Sequence, residues 1–326
     1  MLVSVCLPTF DGRQYIEEAI DSVLAQTYSE VELLISDDRS NDETFAIVQR
    51  RAADNNKIIF WQNEHRLGLF GNYNACLKRA TGQLIKPFAQ DDLLDTRAVE
   101  RMVAVFQENA SVVLACAGRD SSDLYKARAQ DNVEETLPPG RVDGKKALLQ
   151  CLGSYRNLIG EPVAVMFNAK FKDLLFDENY QSLGDLDYWL RILEHGDLFN
   201  IAEPLVTFRQ HSESKTMALM KNMDWVLDFY RLSKQYERYL KELGISRDEY
   251  CMRFTELAGT LIDELVKAGK LQIDSLDGYR EVAYYSMRRS AQLAYKSREY
   301  DSVTASTSWR ITEPLRFIMR QLGRNS

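Results

Sequence analysis

Histidine is scarce in this 326-residue chain, which has only His65, His195 and His211. A multi-histidine metal cage is therefore excluded. The five cysteines (Cys6, Cys76, Cys116, Cys151 and Cys251) are widely scattered and form no C-x-x-C pair. That rules out a zinc ribbon, implies no disulfide framework, and makes a reducing cytoplasm the expected setting. No apolar run approaches the roughly 20 residues that a membrane-spanning helix needs. The opening Met1–Pro8 lacks the basic start of a secretory leader. Base is not in excess either: 41 Lys and Arg against 48 Asp and Glu leave a charge of −7. Such a balance argues against nucleic acid as a partner. What remains is 45% hydrophobic and 27% charged, the make-up of a soluble globular protein. At about 150 residues per domain, the length suggests two domains.

The first 117 residues alternate strand-like and helix-like segments. Val3–Leu7, Val31–Ser36, Ile58–Trp61, Leu84–Phe88 and Val112–Ala117 read as strands. Between them, helices are expected from Asp11, from the capping box Ser40-Asn-Asp-Glu43 through Ala53, over Asn72–Ala80 and over Arg97–Asn109. This spacing implies βαβ units with right-handed crossovers and a largely parallel sheet. Residues 118–142 are polar, carry a Pro138-Pro139-Gly140 breaker and read as a long surface loop. A helix near Lys145–Leu152, a strand over Val163–Phe167, a helix over Asp187–Glu194 and a strand over Leu198–Phe208 follow. From about residue 216 the pattern is helical, near 222–243, 247–268 and 277–296. A boundary is accordingly placed near 215.

In a parallel sheet, ligands bind beyond the carboxyl ends of the strands. Three polar clusters fall there: Pro8-Thr9-Phe10-Asp11, Asp37-Asp38-Arg39-Ser40 and Gln90-Asp91-Asp92. Carboxylates converging on one edge repel each other unless a cation neutralises them, and all-oxygen ligands favour Mg²⁺ or Mn²⁺. Adjacent residues of an extended segment point to opposite sides, so Asp91 and Asp92 are expected to do different jobs. The plainer reading of each pair is a cap on the following helix. Three strand ends together favour a site.

Val3-Ser-Val-Cys-Leu-Pro-Thr-Phe-Asp11, Ala19-Ile-Asp-Ser-Val-Leu-Ala-Gln-Thr27 and Val31-Glu-Leu-Leu-Ile-Ser-Asp-Asp-Arg-Ser-Asn-Asp42 resemble the opening of family 2 glycosyltransferases. The likeness runs through Asn63, Gly68, Asn72, Gly82 and Gln90-Asp-Asp92 to Gly184-Asp-Leu-Asp-Tyr-Trp-Leu-Arg191. It ends near Arg209-Gln-His211 and Ser214, about two thirds along the chain. The resemblance implies an α/β fold of the GT-A nucleotide-diphospho-sugar transferase type, residues 1–215, followed by a C-terminal helical region, 216–326. It implies an inverting enzyme that uses a nucleotide-sugar donor. Pro8, Thr9 and Phe10 would line the base, Asp38 would accept from the base imide with Asp37 in support, and Asp91 would hold the ribose. Asp92 would ligate a divalent metal, Mn²⁺ or Mg²⁺, with His211 approaching from the far side of the cleft. Asp185 falls at the position of the general base. Its place in the first turn of a helix favours the ionised form. Asp187 is expected to brace the site or its helix, and Trp189 to lie in the core or the cleft wall, close enough to Asp185 to touch the acceptor.

The sequence departs from the family pattern in three places. Ala89 replaces an acid before the metal motif, Gly184 replaces the usual Glu before Asp185, and Gly71 replaces an Arg before Asn72. Lys86 or Arg66 is the alternative source of positive charge. Imide recognition by Asp38 suits uracil or thymine, hence UDP- or dTDP-sugars, and a growing bacterial cell-surface glycan or lipid-linked glycan as acceptor. Two alternatives stand beside this reading. One is a sugar-phosphate nucleotidyltransferase, although Pro8-Thr-Phe-Asp-Gly-Arg13 holds only one glycine. The other is an inactive member that still binds nucleotide sugar.

The C-terminal end carries a separate signal. Between 307 and 326, Arg310, Arg316, Arg320 and Arg324 against Glu313 leave +3. They alternate with Trp309, Leu315, Phe317, Ile318, Met319 and Leu322 in a segment that resembles tails of bacterial surface-polysaccharide transferases. Two readings are equally supported: a helix over about 303–326 lying on an anionic membrane surface, or a helix docked on protein.

Overall fold

A computed structural model of the chain describes residues 1–121, 136–209 and 224–254 together with Leu257. The chain divides into two units, one from Met1–Asn179 and Gly184–His211, the other from Tyr180–Leu183 and the residues from Ser212 onward. In the first unit the strands are β1 (Val3–Thr9), β2 (Val31–Asp37), β3 (Ile58–Gln62), β4 (Leu84–Pro87), β5 (Leu93–Leu94), β6 (Val112–Ser121), β7 (Gly140–Val142), β8 (Val165–Asn168) and β9 (Asp197–Phe208). Its helices are α1 (Ile16–Leu24), α2 (Thr44–Ala53), α3 (Gly68–Arg79), α4 (Ala98–Glu108), α5 (Gly144–Ser154) and α6 (Gly184–Leu193).

The strands form one sheet in the order β3-β2-β1-β4-β8-β6-β9-β5, with β7 also paired to β9. β1 to β4 are mutually parallel, and β6 runs parallel to β9. β8 is antiparallel to both β4 and β6, and β5 and β7 are antiparallel to β9. The sheet is thus mostly parallel with three reversed strands, and the carboxyl ends of β1, β2, β4, β6 and β9 share one edge. Within the span expected as a long loop, 118–142, β6 runs on to Ser121 and Gly140–Val142 pairs with β9; residues 122–135 lie outside the described ones.

Period-two burial explains how the layers form. Val3, Val5 and Leu7 of β1 join Ile16, Ile20 and Val23 of α1, Val48 of α2 and Met102 of α4 in one core. Cys6, out of phase with them, pairs with Cys76 of α3, and that contact and burial push its thiol well above its ordinary value. An aromatic cluster joins α3 to α6. Phe176 lies 5.5 Å from Phe70, 5.2 Å from Tyr73 and 4.3 Å from Tyr188, centroid to centroid. Such contacts add about 0.5–1.5 kcal/mol each beyond burial, and here they fix the start of α6 relative to α3.

Several expected caps are corrected. Asp11 does not start α1. It takes a left-handed turn (φ 45°), and its carboxylate accepts from Asn41 N at 2.7 Å. Ser40 is not the cap of α2, because its hydroxyl donates to Asp37. Asp42 instead accepts from Thr44 N at 2.9 Å. In the second unit, helices α7 (Asp224–Gln235) and α8 (Glu237–Glu242) bury Leu232, Tyr236 and Leu240. The buried Asp228 carboxylate accepts from the backbone N of Gln181, Ser182 and Leu183 at 2.6–3.0 Å and pairs with Arg231. The expected helix over 277–296 and the basic tail lie outside the described residues, as does most of the helix expected over 247–268.

Candidate active site

The first strand end is closed by an amide. Gln90, beyond β4, accepts from Thr9 Oγ1 at 2.5 Å and from Phe10 N at 2.9 Å, and donates back to Phe10 O at 3.0 Å. A Cβ at Gly12 would fall 2.2 Å from Gln90 Oε1, so position 12 admits only glycine while that lock holds. Pro8 and Thr9 are buried, and Phe10 is half-buried. The Phe10 ring, expected to face a base, carries the Arg66 guanidinium 3.6 Å above its centroid, a cation–π contact.

The second strand end differs from expectation. Asp37 is 0% exposed and Asp38 is 3% exposed. Asp37 accepts from Ser40 and from Gln62 Nε2 at 2.8 Å. Asp38 Oδ1 accepts from Leu67 N at 2.7 Å and Asn63 Nδ2 at 3.1 Å, and its Oδ2 accepts from Gly68 N at 2.9 Å. Asp38 thus caps α3, whose first residue Gly68 has φ +76°. Main-chain amides and Asn63 thus engage both oxygens of Asp38, the residue expected to accept from the base imide. The motif residues Asn63 and Asn72 complete this buried network. Asn63 Nδ2 donates to Asn72 Oδ1 at 2.9 Å, and Asn72 Nδ2 donates to Ser36 O at 2.9 Å.

The third cluster sets two carboxylates side by side. Asp91 is half-buried, and Asp92 is 2% exposed. Burial first, then repulsion from Asp91, pushes the Asp92 carboxyl well above the usual carboxylate range, while Arg209 and Lys86 pull it back. Arg209, just after β9, closes the corner. Its main-chain N donates to Asp92 Oδ1 at 3.0 Å, its Nε donates to the Asp91 carbonyl, and its Nη1 pairs with Glu18 at 2.5 Å. The sequence held Arg209 only as the neighbour of His211, and its own role lies in these long-range contacts.

Asp185 opens α6. Its Oδ1 accepts from Leu186 N at 2.7 Å and its Oδ2 from Asn157 Nδ2 at 3.1 Å. A Cβ at Gly184 would meet the Phe70 ring at 2.6 Å, so the space of the family's usual glutamate belongs to Phe70. Tyr73 links the acids. Its buried hydroxyl donates to Phe88 O at 3.0 Å. Burial, followed by the charges of Asp92, Asp91, Cys76 and Asp185, raises it well above its ordinary value. The acids beyond β4 and at the start of α6 therefore act on one phenol.

Of Asp187, Trp189 and Lys86, two take a place the sequence allowed, and one expectation is corrected. Asp187 is fully buried and pairs with Arg191 at 2.9 Å, which in turn donates to the carbonyls of Leu174 and Leu175. It braces the fold. Trp189 is 0% exposed and donates to Gly160 O at 3.0 Å, so it lies in the core and touches no acceptor. Lys86 is fully buried; its Nζ donates to the carbonyls of Pro87, Pro162 and Val163, and burial lowers its pKa to about 7. It cannot reach a phosphate. Arg66, exposed at the sheet edge, keeps that role open.

Among the described residues no group of three or more His, Cys, Asp and Glu side chains is placed to hold a metal ion, and His211 lies outside them. The oxygen donors of the adjacent Asp91 and Asp92 are of the type that a hard divalent cation takes. Among the described residues no helix is long and apolar enough to cross a membrane.

The mostly parallel sheet with its three reversed strands and flanking helices is a GT-A fold, and solved structures agree. The chain superimposes on a mannosyltransferase from Pyrobaculum calidifontis in complex with GDP-Man and Mn²⁺, with TM-score 0.59 and 15% identity over 97% of this chain and 86% of that one. It also superimposes on Staphylococcus aureus TarS 1-349 in complex with UDP-GlcNAc, with TM-score 0.55 and 16% identity over 89% and 92%. At such identities these likenesses show the fold. The glycosyl transferase family 2 profile matches residues 4–163. An uncharacterised protein of Mycobacterium tuberculosis is 32% identical over 71% of this chain and 74% of its own. A GalNAc(5)-diNAcBac-PP-undecaprenol beta-1,3-glucosyltransferase of Campylobacter jejuni is 25% identical over 76% and 77%. This chain belongs to the family 2 glycosyltransferases.

Proposed function

We propose that the protein moves a sugar, with inversion, from a UDP- or dTDP-linked donor to a hydroxyl of a lipid-linked bacterial surface glycan. The observation that carries this reading is membership of the glycosyl transferase family 2, with Asp91 and Asp92 beyond β4 and Asp185 in the first turn of α6. Asp185 is the base: it takes the proton of the acceptor hydroxyl as that oxygen bonds to the anomeric carbon. The bond to the diphosphate breaks on the opposite face, and its electron pair leaves with the nucleotide. A Mn²⁺ or Mg²⁺ ion at Asp92 and His211 supplies positive charge to that diphosphate when bound. Asp91 holds the ribose, and Pro8, Thr9 and Phe10 line the base beside Arg66. Asp37 and Asp38 fix the turn that carries Arg66.

A UDP donor is supported by the TarS complex with UDP-GlcNAc, and a divalent cation by the mannosyltransferase complex with Mn²⁺. The undecaprenol-linked substrate in the name of the Campylobacter relative supports the acceptor class. On this reading residues 1–215 form the catalytic domain and 216–326 a helical region. A lipid-linked acceptor gives the tail over about 303–326 a reason to lie on the cytoplasmic membrane face. The test is transfer by the full chain with the product's anomeric configuration read by NMR, repeated with Asp185→Asn. Inversion and a loss of about 10²–10⁴-fold in kcat are expected. Retention of configuration, or full turnover by Asp185→Asn, would refute the assignment.

A further inference from the structure

Gly184 gives Asp185 no neighbouring carboxylate, and Phe70 fills that space. Asn157 reaches Asp185 from another element, with Nδ2 donating to Oδ2 at 3.1 Å. The other oxygen accepts from the amide of Leu186 on the same helix. Asn157 sits in a turn after α5 that is fixed from several sides. Its Oδ1 accepts from Ile159 N at 3.2 Å and Gly160 N at 2.9 Å, and its Nδ2 also donates to Gly160 O at 3.1 Å. Gly160 has φ +118°, a conformation that favours glycine. Trp189, from the helix that bears Asp185, donates to the same carbonyl at 3.0 Å. Arg119 pairs with Glu161, and Lys86 holds the carbonyls of Pro162 and Val163. The amide oxygen of Asn157 thus builds the turn, and its amide nitrogen reaches the carboxylate.

We infer that Asn157 is a positioning residue that fixes the orientation of the Asp185 carboxylate, with Trp189 locking the turn that presents it. The inference rests on the reading of Asp185 as the base. A carboxylate held only by the first amides of its own helix can turn about its side-chain bonds. A second donor from a separately anchored element removes that freedom, and a misplacement of about 1 Å at a reacting group costs on the order of 100-fold in rate.

Asn157→Ala and Asn157→Asp separate the two roles of the side chain. The aspartate keeps oxygens for Ile159 and Gly160 but replaces the donor with a charge that repels Asp185. In the full chain, UDP release from UDP-N-acetylglucosamine and UDP-glucose is measured with kcat and donor KM resolved, beside thermal unfolding. Both variants are also made in the Asp185→Asn background. A fall of about tenfold or more in kcat is expected for both, with donor KM unchanged, Tm kept in Asn157→Asp, and no added loss once Asp185 is replaced. Crystal structures of the Asn157 variants should show the Asp185 carboxylate turned from its present orientation. An unturned carboxylate, a kcat within about twofold of wild type, or an equal loss in both backgrounds would overturn the inference. Full turnover by Asp185→Asn would instead overturn the base reading beneath it.

Discussion

Two pairs of adjacent aspartates, Asp37-Asp38 at the end of β2 and Asp91-Asp92 beyond β4, look alike in sequence and differ in physical state. Donors saturate the first pair. Ser40, Gln62, Asn63 and the amides of Leu67 and Gly68 surround its oxygens. Asp91 crowds Asp92, whose carboxyl is pushed upward by burial and repulsion. A carboxylate enclosed by amides is scaffold, because its charge is already matched. One that is buried beside a second carboxylate calls for a cation from outside the chain. The charge environment of an acid thus separates a cap from a site better than its place at a strand end.

The sharpest way to break this contrast is to delete one acid from each pair and measure unfolding in denaturant. Asp38→Ala strips acceptors from two backbone amides and from Asn63, and is expected to cost about 2–4 kcal/mol. Asp92→Asn relieves repulsion at a buried site and is expected to leave stability equal or slightly higher. Equal losses at both positions would erase the distinction. A smaller effect sharpens it at α6. Gly184→Ala pushes a methyl group into the Phe70 ring, and a loss of about 1–3 kcal/mol is expected from overpacking. Unchanged stability in that variant would mean that Phe70 yields freely and does not fix the start of α6.

Much of the fold was legible because it is local. The runs that became β1, β2, β3 and β4, and the stripe Ile16, Ile20, Val23, follow from periodicity alone. Strand direction was not legible: β8 is a short buried run, and nothing in its composition records that it pairs antiparallel with β4 and β6. Helix starts shifted wherever a cap comes from far along the chain. α3 begins at Gly68 because Asp38, 30 residues away, accepts its first amides. The acids of the candidate site were found, since strand-end placement is a sequence property. Their partners were missed. Asn157, Arg209 and Tyr73 act through contacts spanning many residues, and only Asn157-x-x-Gly160 left a turn signal. For Trp189 the sequence left core and acceptor contact both open, because closeness to Asp185 along a helix does not give direction; its indole points into the Phe167–Phe176 cluster.

The central claim is that Asp92, crowded by Asp91, takes a divalent cation together with a nucleotide diphosphate. Calorimetric titration of UDP-GlcNAc into the full chain, with and without Mn²⁺, tests this directly when repeated on Asp92→Asn. Tighter binding with Mn²⁺ in the wild type, and no dependence on Mn²⁺ in Asp92→Asn, is the expected result. Binding that ignores Mn²⁺ in both proteins, or that Mn²⁺ strengthens equally in both, would contradict it.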